Sequence, residues 1–206
     1  MDAYRDDQAS GRRKAGESFW WYICCSPKAP YPGEFIDRPG TELRVWLWQT
    51  FQRGIEGILI WETTYWTSPA AYPDPARPQN PYTDPMSWTS GYGTPSGARR
   101  PWGNGDGRFL YPPLAAAEGR PAAPVLEGPV DSIRWEMLRD GLEDYEYLAL
   151  LRRLLAAHPE RAGAPGTLLE VPADITAEAR VFTRDPAPLM ARRRALAAAL
   201  TDLTSR

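Results

Sequence analysis

The residues best suited to chemistry lie just after an apolar segment in the first third of the chain. Two tryptophans, a tyrosine and a carboxylate occur within six residues: Trp61, Glu62, Tyr65 and Trp66. Flat aromatic rings can cover the C–H face of a sugar ring, and a carboxylate can accept hydrogen bonds from its hydroxyl groups. Two plainer interpretations stay open, because Trp61 can pack in the core and Glu62 can form an ion pair with an arginine.

Three further residues are candidates for ligand contact. Tyr22 and Tyr111 lie in short apolar segments, and Asp106 lies in Gly103–Gly107, which contains three glycines. Asp106 can contact a ligand or hydrogen-bond the backbone of its own turn. The glycine-rich segment does not fit a phosphate-binding loop, because no Gly-Lys-Ser/Thr sequence follows it and no helix is predicted to begin there.

Residue counts exclude several classes of chemistry. His158 is the one histidine, so neither a Ser-His-Asp triad nor a multi-histidine metal site is expected. The neighbours Cys24 and Cys25 are the only cysteines, so no disulfide framework or cysteine zinc site is expected, and no cofactor is predicted. A formal charge of −2 argues against a nucleic-acid partner. The longest apolar run, 19–25, is too short to cross a membrane, so no membrane partner is predicted.

Apolar segments and helical patterns alternate along the chain. The predicted strands, the first two buried on both faces, are 19–25, 55–62 and 108–112. The predicted helices are about 41–53, 133–157 and 186–203. This alternation indicates parallel βα units, of which about eight close a barrel. We therefore expect an α/β fold consisting of about three βα units from the C-terminal part of a (β/α)8 barrel, with long inserted loops. A self-contained small α/β domain is the alternative.

Two segments carry more specific expectations. In the helix at 133–157, the apolar face is predicted to comprise Ile133, Met137, Leu138, Leu142, Tyr145, Leu148, Leu151 and Leu155. The acidic residues Glu143, Asp144 and Glu146 are predicted to form a solvated face. The segment 63–107 exceeds the length of an ordinary connection, which indicates an ordered functional loop. Its Trp88, Tyr92 and Trp102 are expected mainly to pin that loop.

Several segments occur in an order that resembles a known family. They are WWYICCSPKAPYP, FID, a helix with Arg44 and Trp48, GILIW, GDGRFLYP and SIRWEMLRDGLEDYEYL. This order resembles the C-terminal half of the catalytic region of glycoside hydrolase family 123, a group that includes bacterial domains of unknown function. The resemblance covers roughly residues 17–203. Its most specific part is the SIR…LRDG-x-EDYEYL stretch.

The resemblance implies a (β/α)8 barrel that acts on β-linked N-acetylgalactosamine glycosides. The implied mechanism is substrate-assisted: the 2-acetamido carbonyl attacks the anomeric carbon, one carboxylate orients it, and the neighbouring carboxylate protonates the leaving oxygen. No Asp-Glu dipeptide occurs in this sequence, so no catalytic residue is assigned. The substrate-binding assignments are Tyr22, Trp61, Glu62, Tyr65, Trp66, Asp106 and Tyr111.

The expected organisation is a polar lead-in, 1–18, followed by a partial barrel domain, 19–203. The polar start before a very apolar strand favours a missing N-terminal part. The expected partners are a glycoside or oligosaccharide substrate, together with either the missing half of the barrel or a second copy of the chain. The alternative function is a non-catalytic sugar-binding or structural half-barrel that assembles with another chain. The residues indicate no compartment.

Overall fold

The computed structural model describes residues 16–71, 74–89, 102–118 and 121–205. Its first unit is a parallel pair, β1 (Trp20–Tyr22) and β2 (Gly57–Leu59), joined by helix α1 (Thr41–Gln52). This βαβ unit confirms the predicted parallel pairing. The strands are shorter than predicted and are not buried on both faces, since Trp20 and Tyr22 are each 58% exposed.

The other described strands form antiparallel ribbons of two short strands each. The pairs are β3 (Met86–Trp88) with β4 (Trp102–Asn104), β5 (Leu110–Tyr111) with β6 (Val130–Asp131), and β7 (Ala177–Glu178) with β8 (Val181–Phe182). The prediction of a third parallel strand is therefore wrong. Pro112 ends β5 after two residues, because proline has no N–H to continue a ladder. The described residues form a mixed helix and strand fold, in which no barrel is evident.

The two long C-terminal helices have the predicted positions. Helix α2 spans Ile133–Ala157 and helix α3 spans Pro186–Thr204. Ser132 Oγ accepts a hydrogen bond from the Trp135 amide, and Asp185 Oδ1 accepts one from the Ala187 amide, as N-caps do. Single helical turns lie at Pro69–Ala71, Leu114–Ala116, Pro159–Arg161, Gly163–Gly166, Thr167–Leu169 and Ala173–Thr176. Within the described ranges, no helix combines the length and the apolar character needed to span a membrane.

Helix α1 is buried along almost its whole length and lies between two apolar clusters. The cluster beside the strands contains Ile23, Leu43, Trp46, Leu47, Phe109 and Leu138. The cluster between the helices contains Val45, Trp48, Phe51, Leu148, Leu151, Leu155, Ile175, Leu189, Leu196 and Leu200. The C-terminal helices therefore support α1, and α1 supports the strands whose ends carry the candidate site.

A buried charge network joins the three long helices. Asp144 of α2 is fully buried and accepts hydrogen bonds from Arg44 Nε at 2.6 Å and Arg44 Nη2 at 3.0 Å. Trp48 Nε1 donates to the same carboxylate at 2.9 Å, and Arg193 Nη1 of α3 donates at 3.1 Å. The predicted solvated acidic face is therefore wrong at Asp144, because a buried cation on α1 compensates its charge. Glu146 is exposed, as predicted.

The predicted apolar face of α2 is buried at Leu138, Leu148, Leu151 and Leu155 and is wrong at two positions. Ile133 and Leu142 are 75% and 47% exposed, whereas Gly141 is buried. A Cβ atom at Gly141 would lie 3.1 Å from the Cα of Arg44, so glycine permits the close approach of α1 and α2. The LRDG-x-EDYEYL segment therefore supplies the contact between these helices.

Candidate functional site

The candidate site lies where β1 and β2 end and the loops that follow them meet. Arg134, in the first turn of α2, is buried and connects these loops. Its guanidinium donates to the carbonyl oxygens of Glu34 at 2.8 Å and Gly105 at 2.7 Å, and also to that of Arg108. Burial lowers the pKa of Arg134. One buried cation thus joins the loop after β1 and the segment 105–108 to helix α2.

A second buried arginine orders the long segment that follows β2. Arg108 donates to the carbonyl oxygens of Tyr65 at 2.6 Å and Asp84 at 3.0 Å, and to Gln79 Oε1 at 2.8 Å. Gln79 Oε1 also accepts from the Ser68 amide at 2.9 Å. The described part of this segment is therefore ordered, in agreement with the prediction. Two expectations, for Tyr92 and for the side chain of Trp102, lie outside what the structure describes.

Three aromatic rings form a cluster, here called the platform: Trp61, Tyr65 and Trp88. The ring centroids are 5.2 Å apart for Trp61 and Tyr65, 6.4 Å for Trp61 and Trp88, and 6.2 Å for Tyr65 and Trp88. Trp61 is 38% exposed, so the platform is open to a ligand. Two of the residues assigned from sequence meet here, and Trp88 joins them.

Two carboxyl groups lie on the buried side of the platform. Asp106 is 1% exposed and accepts hydrogen bonds from Trp61 Nε1 at 2.8 Å and Trp88 Nε1 at 3.2 Å. Glu34 is fully buried, and neither of its side-chain oxygens has a hydrogen-bond partner among the described residues. Burial above all, and then the nearby Asp106 and Cys24, raises the pKa of Glu34 to about 10. Glu34 is therefore neutral at neutral pH.

Glu62 and Trp66 lie beside the platform. Glu62 Oε1 accepts from the amides of Thr63 at 2.9 Å and Thr64 at 3.0 Å, and these bonds lower the pKa of Glu62. Among the described ion pairs none involves Glu62, so the predicted alternative of an arginine partner is not seen there. Trp66 Nε1 donates to the carbonyl oxygen of Leu110 at 2.8 Å, which ties the segment after β2 to β5.

The other two assigned tyrosines, Tyr22 and Tyr111, are not part of the platform. Tyr22 ends β1 and is 58% exposed. The Tyr111 ring lies 5.1 Å from that of Tyr82, whose hydroxyl donates to the carbonyl oxygen of Pro112. Among the assigned aromatic residues, Trp61 and Tyr65 therefore lie in the platform, Tyr111 lies beside the buried Arg134, and Tyr22 lies at the exposed end of β1.

The adjacent cysteines lie at the end of β1 with their sulfur atoms 3.5 Å apart, both as free thiols. Burial above all, and then its neighbour Cys24, raises the pKa of Cys25 to about 12, so Cys25 is a poor nucleophile at neutral pH. Within the described ranges, no group of three or more His, Cys, Asp or Glu side chains is placed to hold a metal ion.

Sequence reasoning missed Glu34 and Arg134 as parts of this site. Glu34 lies in a proline-rich loop that follows β1, and the ends of parallel strands are where ligands bind in α/β sheets. That position was the available signal for Glu34. Arg134 lies in the SIR segment, but its carbonyl partners lie at least 26 residues away in sequence and leave no local pattern.

Comparison with known families gives a match over most of the chain. Residues 1–151 match the family described as glycoside hydrolase 123, catalytic domain. The match covers 151 of the 206 residues of the chain. The matched range contains Glu34, the platform, Asp106 and Arg134. No curated protein matches the sequence.

Proposed function

The chain belongs to the glycoside hydrolase 123 family, and from that premise we propose that it binds β-linked N-acetylhexosamine glycosides of the N-acetylgalactosamine type. The observation that carries this proposal is the half-exposed Trp61 in the platform at the strand ends. An aromatic face of this kind suits the C–H face of a sugar ring. Glu62 and the exposed Tyr22 would contact hydroxyl groups at the edge of the sugar, and Trp66 and Tyr111 would border the ring.

The mechanism we propose is substrate-assisted hydrolysis, with the 2-acetamido group of the sugar as the nucleophile. The Asp-Glu pair that orients this group and protonates the leaving oxygen does not occur in the 206 residues. Asp106 and Glu34 do not replace such a pair as they stand, because both are buried. The role proposed for this chain is therefore to bind and orient the sugar, while the acid is supplied from outside this sequence.

The proposed architecture is the C-terminal part of a (β/α)8 barrel that associates with its N-terminal half or with a second copy of the chain. Two observations support association. Among the described residues β1 pairs with β2 alone, which leaves strand edges that can pair with another chain. An apolar groove lies beside them, lined by Ile58, Ile60, Trp135, Leu138, Arg139 and Leu142. A non-catalytic, sugar-binding half-barrel is the second candidate, favoured by the absence of the Asp-Glu pair.

Truncation of Trp61 tests the sugar site. We expect Trp61→Ala to weaken binding of an aryl N-acetyl-β-galactosaminide by about 1–3 kcal/mol, because the stacking surface is lost. Isothermal titration calorimetry measures the change. Trp135→Ala is the matched control, since Trp135 lies in the groove and should affect stability without a selective effect on binding. Loss of binding in Trp135→Ala with wild-type binding in Trp61→Ala would place the sugar elsewhere.

The association state tests the proposed architecture. We expect the purified chain to form dimers or larger species in size-exclusion chromatography with light scattering, because apolar surface and strand edges are uncovered. Leu142→Lys, in the groove, should shift the population toward monomer. A soluble wild-type monomer with one sharp, cooperative melting transition would contradict the half-barrel and favour a self-contained α/β domain.

A further inference from the structure

The loop that carries Asp106 fits closely against the two indole rings of the platform. Gly103 and Gly107 have positive φ angles of 72° and 71°. A Cβ atom at Gly103 would collide with the Trp88 ring, and one at Gly107 would lie 2.7 Å from Cζ2 of Trp61. Glycine at these positions therefore allows the loop backbone to approach both rings.

Hydrogen bonds around the loop fix Asp106 without any ligand. Ser87 Oγ donates to the carbonyl oxygen of Asp106, and the Gly105 amide donates to the carbonyl oxygen of Pro85 at 2.9 Å. Arg134 donates to the carbonyl oxygen of Gly105 at 2.7 Å. The loop is thus attached to the ribbon of β3 and β4 on one side and to α2 on the other.

Each carboxylate oxygen of Asp106 accepts a hydrogen bond from the platform. Oδ1 accepts from Trp61 at 2.8 Å and Oδ2 from Trp88 at 3.2 Å. At 1% exposure, Asp106 has no open surface through which to contact a sugar directly. The neighbouring Glu34 carboxyl is buried against Asp106, and both indole N–H groups donate to Asp106 rather than to Glu34.

We propose that Asp106 is a positioning residue: by accepting one hydrogen bond from each indole, it fixes the Trp61 and Trp88 rings in the orientation in which they stack against the sugar. This inference rests on the proposed function of the platform as a sugar site. A ring held in place before binding loses less conformational freedom when the ligand arrives, which strengthens binding. Asp106 thereby acts on the sugar through the tryptophans.

Indole resonances in a ¹H–¹⁵N correlation spectrum test the bond directly and need no sugar. In the wild-type protein, the Nε1–H groups of Trp61 and Trp88 should exchange with solvent more slowly than that of Trp20, which is 58% exposed. Asp106→Asn should shift at least one of the two resonances upfield and speed its exchange. The reason is that an amide offers one acceptor oxygen and places an NH2 group against the other indole. Asp202→Asn, on the exposed side of α3, is the matched control and should change neither resonance.

The outcomes separate this inference from the proposed function. Fast exchange of the Trp61 and Trp88 indoles in the wild-type protein would overturn the positioning role, even if Asp106→Asn fails to fold. So would unchanged resonances in a folded Asp106→Asn variant. If at least one of the two indole resonances responds to Asp106→Asn as expected, the positioning role is supported. An aryl N-acetyl-β-galactosaminide that then shifts neither resonance would defeat the sugar-site proposal alone.

Discussion

Removal of the Asp144 carboxylate should cost about 3–5 kcal/mol of unfolding free energy. Asp144→Ala leaves Arg44, which is 3% exposed, without its main counter-charge in the interior. It also removes the hydrogen-bond acceptor of Trp48. Urea denaturation at pH 7 measures the loss, provided that the slope of the unfolding free energy against urea is unchanged.

Glu146→Ala provides the matched control for this prediction. Glu146 lies two residues further along α2 but is exposed, so its removal should change the unfolding free energy by less than about 0.5 kcal/mol. A cost below about 1 kcal/mol for Asp144→Ala, or equal costs for the two variants, would show that Asp144 does not hold the helices together.

The pH dependence of stability should change strongly in Glu34→Gln. Folding raises the pKa of Glu34 from its ordinary 4.5 to about 10, so between these values the folded chain holds a proton that the unfolded chain has lost. Stability contributed by neutral Glu34 is therefore present at low pH and is lost as the pH rises through this window. The slope is up to about 1.4 kcal/mol per pH unit. Glutamine is neutral at every pH, so Glu34→Gln should lack this contribution.

Unfolding free energies of both proteins at pH 6, 7 and 8 test this prediction. The stability of Glu34→Gln relative to wild type should rise by up to about 2.8 kcal/mol across the two pH units. The charged and titratable groups around Glu34 are Asp106, Cys24, Cys25 and Arg134, and the substitution leaves all of them in place. Parallel pH profiles for the two proteins would mean that Glu34 is ionised in the folded protein.

Local patterns were sufficient to predict the long helices and the first parallel pair. Helices α2 and α3 combine helical periodicity with Ser132 and Asp185 as N-caps, and both signals lie within a few residues of sequence. The segment 108–112 contains no comparable local signal that identifies the strand with which it pairs. Its pairing with Val130–Asp131 depends on a chain reversal that the residue pattern of β5 does not encode.

The buried charges could not be predicted in the same way. Arg44 and Asp144 are 100 residues apart, so each alone has the character of a surface residue on an amphipathic helix. Asp106 lies 45 residues from Trp61, and its turn could equally have satisfied its side chain locally. Burial of a charged or polar group becomes favourable only when its partners meet in the folded state, and a single sequence does not show where they meet.

A sugar site at the platform is tested by titrating the protein with an aryl N-acetyl-β-galactosaminide and following the indole resonances. We expect saturable shifts of the Trp61 and Trp88 resonances, because their rings belong to the platform on which the sugar would stack. The resonance of Trp46, in the core beneath the strands, should stay in place. Shifts confined to Trp135, or no shift of any resonance at saturating ligand, would contradict a sugar site at the platform.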